Sequence, residues 1–255
     1  MKIISFTGGL GAQIISAAAY HNLLSNHTEP IGAYFGYFQT PFHLATPGIK
    51  NDMSHWKWEL GCYGIEMWDF LQPSGEYVDV VWDGPEKLNI GMDGLIQPNI
   101  ANKFAIGNDV FDYKKQMFGD KSFACMHIRR GDYVNVASFI VSDYSFIRMI
   151  AKICKFVDNL LVVSDSPLSN VMIEQLNKLD VNSIAAIGGN PHMVHGLMRL
   201  SDILICSNSQ FSLTAAALRD DMSLTLYPAQ HDSDLESSTN QFLSKIREFQ
   251  VITKF

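Results

Sequence analysis

The chain has 255 residues, 47% apolar and only 18% charged, so it can bury a core and disorder is not the default. Its 19 Lys and Arg against 26 Asp and Glu leave a net charge of −7, which argues against broad nucleic-acid binding. An anionic ligand must therefore meet positive charge concentrated at one place.

The length accommodates one large domain or two of roughly 120 residues each. The start, MKIISFTGGLGAQ, is too short in apolar residues for a signal peptide, and no run approaches the ~20 apolar residues of a membrane-spanning helix. A soluble protein, at most peripheral to a membrane, is expected. Cys62, Cys125, Cys154 and Cys206 are far apart and form no CxxC pair. Reduced, buried packing cysteines, no metal site and a reducing, cytoplasmic setting follow as expectations.

In chain order, Lys2 to Thr7 is expected as a strand, Gly8 to Gly11 as a turn and Gln13 to Ser25 as a helix rich in Ala and Leu. From residue 30 to 102 aromatics, among them Tyr34, Phe35, Trp58 and Trp68, alternate with Gly and Pro and predict short elements and long loops. These rings serve as core, and some of them can also offer stacking faces to a ligand. After a polar stretch over 114–122, Phe123 to Ile128 reads as a strand and Tyr144 to Phe156 as a helix. Asn159 to Ser164 is an apolar strand, Ser169 to Leu179 a helix, and Val181 to Ile187 a further strand. His192 to Leu200 is a helix, Asp202 to Ser207 a buried strand, Ser209 to Arg219 an Ala-rich helix and Leu224 to Tyr227 a last short strand. Phe242, Leu243, Ile246 and Phe249 have the spacing of a closing amphipathic helix.

Continuous apolar strands alternating with helices predict a parallel sheet covered on both faces. Ligands of such sheets bind outside the carboxyl ends of the strands. His127, Arg129, Asp165, Asn208 and Ser209 all fall at expected strand ends. The domain division expected is 1–120, 121–235 and a helical 236–255.

The strongest chemical signal is His127-Ile128-Arg129-Arg130-Gly131-Asp132-Tyr133. Adjacent arginines at the end of a buried strand suit bidentate contact with phosphate. The bland alternative is that one of them pairs with Asp132 or another carboxylate and closes the turn. A second candidate anion site is the start of the helix at Ser209, because helix N-termini present unpaired N–H groups. Gly8, Gly9 and Gly11 do not complete a dinucleotide fingerprint, since Ile14 stands where its third Gly is required, and no GK[ST] follows. They form either a tight strand-to-helix turn or a place of close ligand approach. Asp232-Ser233-Asp234 reads as a solvated loop, His192 with His195 as core or surface histidines, and Asn26-His27-Thr28 as a sequon of no consequence here.

The string HIRRGDY resembles the hallmark of the bacterial α-1,2-fucosyltransferases. GGLGAQ (Gly8 to Gln13), VVSDSP (Val162 to Pro167) and LMRLSDILICSNSQFSLTAA (Leu197 to Ala216) resemble further stretches of that family in the same order. The resemblance implies a GT-B-like α/β architecture, two Rossmann-like domains with parallel sheets facing a cleft. It implies inverting transfer of L-fucose from GDP-fucose to an oligosaccharide hydroxyl, with no further cofactor or metal. Carried over by position, Arg129 and Arg130 hold the diphosphate, and His127 lies near the guanine or ribose. Asp165 is a candidate for reading guanine, and Ser209 and Ser212 complete the phosphate cradle. Gly9, Gly11 and Gln13 belong to a loop that approaches the donor, and Asp132 is grouped with the arginines as catalytic. The chain departs from the family at Ala12, Ser166 and the Leu213-Thr214 pair, where Asn, Asp and Trp-Trp are usual. A non-catalytic GDP-sugar binder and a transferase for another nucleotide sugar are the competing readings.

Overall fold

The computed structural model describes residues 1–35, 38, 57–73, 84–135, 140–219, 223–228 and 249–252. The chain divides into two compact units, Met1–Ala105 and Ile106–Phe255.

In the first unit β1 (Lys2–Ser5) leads through the glycine turn into α1 (Leu10–Asn26), and β2 (Ile31–Tyr34) pairs parallel with β1. Gly8 takes φ +73, a left-handed conformation that glycine adopts without strain. The helix begins at Leu10 rather than at Gln13 because Gly9 is already its extended N-cap. Two helices not foreseen in the aromatic stretch follow, α2 (Gly84–Leu95) and α3 (Pro98–Ala101). α2 lies almost in backbone contact with α1, since a Cβ at Gly91 would stand 2.4 Å from the Ile15 carbonyl oxygen. Phe6, Phe35, Trp58 and Phe70 form one ring cluster, with Phe6 centroids 4.9 Å from Phe35 and 4.8 Å from Phe70. Phe6, Phe35 and Phe70 are core and Trp58 is half-buried at its edge; Trp68, by contrast, is 78% exposed.

The second unit begins with α4 (Asn108–Phe118), which overlaps the polar stretch expected over 114–122 and lies within the 1–120 expected for the first domain. It belongs to the second unit because Val110 fills the space that Gly196 leaves open; a Cβ there would meet Val110 at 2.6 Å. The remaining elements are β3 (Phe123–Ile128), α5 (Asp143–Ile153), β4 (Asn159–Ser164), α6 (Asn170–Leu176) and β5 (Asn182–Ile187). They are followed by α7 (Pro191–Leu200), β6 (Ile203–Ile205), α8 (Gln210–Ala217), β7 (Leu224–Pro228) and β8 (Phe249–Ile252). All pairings are parallel and the strand order is β5-β4-β3-β6-β7-β8.

Strand alternation sorts the helices. Ala124, Met126 and Ile128 face Phe146, Met149 and Ile150 of α5 and Met172 of α6 in one core. Phe123 and His127 face the other way, toward Phe118 of α4 and Ser212 of α8. Both faces are covered, which is why these strands read as continuous apolar runs.

Two expectations change. The closing helix is overturned at Phe249, which lies in β8 and pairs with Thr225 on β7; Phe, Val and Ile in Phe249–Ile252 suit a pleated edge. Phe242, Leu243, Ile246, Asp232 and Asp234 lie outside the described residues. Of the cysteines, Cys125 and Cys206 are buried as expected, but Cys62 is exposed and Cys154 only partly buried. No helix among the described residues is long and apolar enough to cross a membrane.

Candidate active site at the carboxyl edge of the second sheet

Strand order reverses at β3, which has β4 on one side and β6 on the other. Connections from these two strands leave in opposite directions, so a crevice opens beyond their carboxyl ends, where ligands of doubly wound sheets bind. The HIRRGDY segment runs out of β3 at this point, and Ser207, Asn208 and Ser209 run out of β6. The sequence therefore delivers its basic pair and its serine-rich helix start to the same switch point.

Alternation sends the two arginines apart. Arg129 follows the His127 side and places Nη1 2.7 Å from Asp165 Oδ2, just beyond β4. The other carboxylate oxygen, Asp165 Oδ1, accepts the backbone N–H of Arg130 at 2.8 Å. Arg129 also lies over the Tyr133 ring, 5.2 Å from its centroid. Gly131 makes this arrangement possible, since a Cβ there would stand 2.7 Å from Asp165 Oδ2, with φ at +22. Arg130 turns to the opposite face, over Phe146, and places Nη2 2.5 Å from Asp143 Oδ1. Asp143 opens α5, and its Oδ2 accepts the hydroxyl of Ser169, the N-cap of α6, at 2.5 Å. Arg130 thus ties β3 to two helix starts. A cavity of about 280 Å³ opens beside it, lined by Ile128, Arg130, Asp143, Ser166, Ser169 and Met172 among others.

His127 is only 6% exposed and points inward. Its Nδ1 lies 2.6 Å from Ser212 Oγ and 2.9 Å from Ser207 Oγ, and the two hydroxyls are 3.2 Å apart. Burial first, and the Arg129 charge second, push the imidazole pKa down to about 3, so the ring is neutral. Ser212, expected at the phosphate, is fully buried and serves this inner contact. Ser209 is the N-cap of α8 and accepts the Phe211 N–H at 3.2 Å. The first-turn N–H groups of Gln210 and Ser212 belong to the set that a helix leaves without intrahelical acceptors. Behind them Tyr227 is buried, its phenol pKa raised by desolvation, with the Ser209 backbone hydrogen-bonded to it.

The glycine turn of the first unit has a different character. Gln13 is fully buried, its Nε2 donating to the carbonyls of Gly8 (2.9 Å) and Lys57 (2.7 Å) and its Oε1 accepting from Glu59 N (2.9 Å). Gly11 is buried as well, and Gly9 is partly exposed. The Glu59 carboxylate already accepts the Leu10 N–H at the start of α1, while burial raises its pKa. A carboxylate at that helix start disfavours a second anion there. Gln13 and Gly11 therefore shape the turn from inside. The side chain of Asp132 lies outside the described residues, and its backbone belongs to the short 3-10 turn Gly131–Asn135.

Sequence reasoning missed Asp143 and Ser169 as partners of Arg130, Ser207 as a partner of His127, and Glu59 at α1. Ser142-Asp143, a helix-start pair, was the one available signal, since Ser142 accepts the Ser145 N–H as N-cap.

Residues 105–247 match the model of the family described as Glycosyl transferase family 11. The chain belongs to glycosyl transferase family 11. No match was found among curated proteins. Among solved structures, E. coli ADP-heptose lps heptosyltransferase II is similar at TM-score 0.54 and 11% identity, covering 99% of this chain and 90% of that one. A glycosyl transferase family 9 protein from Veillonella parvula gives TM-score 0.52 and 8% identity, covering 99% and 85%. At such identities the likeness is one of fold, and it agrees with the expected GT-B-like α/β class. POFUT1 in complex with GDP-fucose aligns at TM-score 0.38 and 12% identity over 49% of this chain and 46% of its own, so less than half of that relative is spanned.

Proposed function

We propose that this family 11 chain is an inverting glycosyltransferase that moves L-fucose from GDP-fucose to a glycan hydroxyl, a galactoside 2-hydroxyl by resemblance to the α-1,2 enzymes. The observation that carries the reading is that the end of β3, which leads into Arg129, and the end of β6, which leads into α8, lie side by side at the switch point and are joined by the His127 contacts with Ser207 and Ser212. Arg129 and the α8 start are donors suited to a diphosphate, and both follow strand ends where such sheets bind nucleotides.

Leaving-group charge develops on the β-phosphate as the glycosidic bond breaks. Arg129 is held in place by Asp165 through Nη1, and its guanidinium is a planar fork of five donors whose geometry matches a phosphate. Removing one such preplaced donor typically costs ~2.7–4 kcal/mol of barrier. The sugar passes through an oxocarbenium-like state and the acceptor attacks the opposite face. Arg130 supports the site through Asp143, and Asp165 is proposed for guanine only in so far as the bound nucleotide redirects it from Arg129.

Calorimetry with GDP tests the assignment. Arg129→Ala and Arg129→Lys should both bind GDP more weakly, the Lys variant poorly because it lacks the planar fork. Unchanged affinity in both would sink the phosphate role. Turnover of GDP-fucose with a fucosylated product then separates a transferase from a binder, and a panel of nucleotide sugars separates fucose from other donors.

A further inference from the structure

We propose that His127 is a positioning residue: through Nδ1 it ties the Ser207 and Ser212 hydroxyls to the end of β3 and fixes the turn that receives the donor diphosphate. The inference rests on the diphosphate reading above and departs from the carried-over role of His127 as a nucleotide contact. Ser207 precedes the N-cap Ser209 and Ser212 follows it inside α8, so the tie grips the turn on both sides. Ser207 is 2% exposed and Ser212 fully buried. Buried hydroxyls and an imidazole cost stability unless mutually satisfied, and a satisfied network fixes one geometry.

The proposed tie takes Nδ1 as the acceptor. Ser212 Oγ accepts the Ser207 backbone N–H at 3.2 Å and, in this arrangement, turns its own proton into the 2.6 Å contact with His127. The tautomer that the proposal requires therefore carries the ring proton on Nε2. Phe211 is flanked by the rings of His127 (5.4 Å) and His195 (5.2 Å). His195 is in turn anchored through Nε2 to Thr214 Oγ1 at 3.1 Å. The groups around the imidazole are thus Arg129 on its own strand, Ser207 beyond β6, Ser212 and Phe211 on α8, and His195 on α7.

Asn and Gln variants discriminate, because an Asn amide oxygen reaches the position of Nδ1 and a Gln amide that of Nε2. His127→Ala and His127→Gln should weaken GDP binding by about tenfold, while His127→Asn stays within about twofold of the wild type. Ser212→Ala, a smaller change, should weaken binding similarly and add nothing further in His127→Ala. Rescue by Gln, failure of Asn, additive losses, or affinities that merely follow melting temperature would each overturn the proposal. Ring nitrogen resonances of wild-type protein without ligand should show a neutral imidazole protonated at Nε2 at pH 6. A proton on Nδ1, or an imidazolium, overturns it. The ring measurement needs no nucleotide, so a wild type that fails to bind GDP sinks the diphosphate reading while the tautomer still decides the tie to the serines.

Discussion

Gly131 shows how one residue can hold a site together by lacking a side chain. Its missing side chain lets the turn after Arg130 close on the Arg129–Asp165 pair. Gly131→Ala is expected to displace Asp165, loosen Arg129 and weaken GDP binding more than it lowers the melting temperature, as calorimetry and a thermal melt on one preparation would show. The buried histidines make a second residue-scale prediction. Their folded pKa values are depressed, His127 to about 3 and His195 well below its usual value, both chiefly by burial. Between the folded values and the usual 6.5 the unfolded chain binds more protons than the folded one. Stability is therefore full above pH 6.5 and falls as pH drops toward 3, by up to about 1.4 kcal/mol per pH unit per histidine. His195→Gln should flatten the fall in urea midpoint between pH 6.5 and 4; an unchanged slope would contradict the assignment.

At the scale of elements, two packing devices decide stability. α1 and α2 approach through Gly91 and Gly94, where a Cβ would meet the carbonyl oxygens of Ile15 at 2.4 Å and Ala18 at 2.7 Å. Gly91→Ala must push the helices apart, at about 1–3 kcal/mol for overpacking, whereas Gly61→Ala, whose Cβ meets only the flexible end of Glu66, should cost less. Urea denaturation of the two variants makes the comparison. In the second unit Arg199 on α7 donates to the Leu218 carbonyl at the end of α8, while Arg219 beyond α8 donates to the carbonyls of Met198 (2.6 Å) and Ser201 (2.7 Å) at the end of α7. Each helix C-terminus is thus satisfied by a cation from its neighbour, which also suits the helix dipole. These arginines are structural, and Arg219→Ala should lower stability by about 1.5–3 kcal/mol without changing the pH profile of any activity.

For the molecule as a whole, strand order determines where a nucleotide can go. With β3 and β6 adjacent and their connections diverging, the 127–131 and 207–212 segments border the crevice of the second sheet, with Asp165 beside the first of them. The start of α1 already carries the Glu59 carboxylate. Hydrogen exchange with saturating GDP should therefore slow at the end of β3 and the start of α8, with little change at Gly8–Gly11. Protection confined to the glycine turn would reverse the assignment. Saturation at about a hundred times the dissociation constant should also raise stability by about 2.7 kcal/mol.

Much of this was legible beforehand. Apolar runs such as Asn159–Ser164 and Ile203–Ile205 announced a doubly covered parallel sheet, because burial on both faces removes polar alternation. HIRRGDY and the stretch around Ser209 announced the family and placed a basic pair and a helix start at strand ends. α4 was missed because its outer face is polar and its few buried residues, Val110 and Phe118, acquire meaning only against Gly196 and Phe123. β8 was read as a helix because Phe, Leu and Ile spacing cannot report an open sheet edge beside β7. That Arg129 turns to Asp165 and Arg130 to Asp143, on opposite faces, was also invisible, since adjacency in sequence hides it. The pairings of Arg130 with Asp143, of His127 with Ser207 and Ser212, and of Gln13 with residues 57–59 join positions up to 85 residues apart. Local pattern carries the strands and the motif, because both depend on near neighbours; partners brought together by folding are chosen by the sheet's order, and that order exists only in three dimensions.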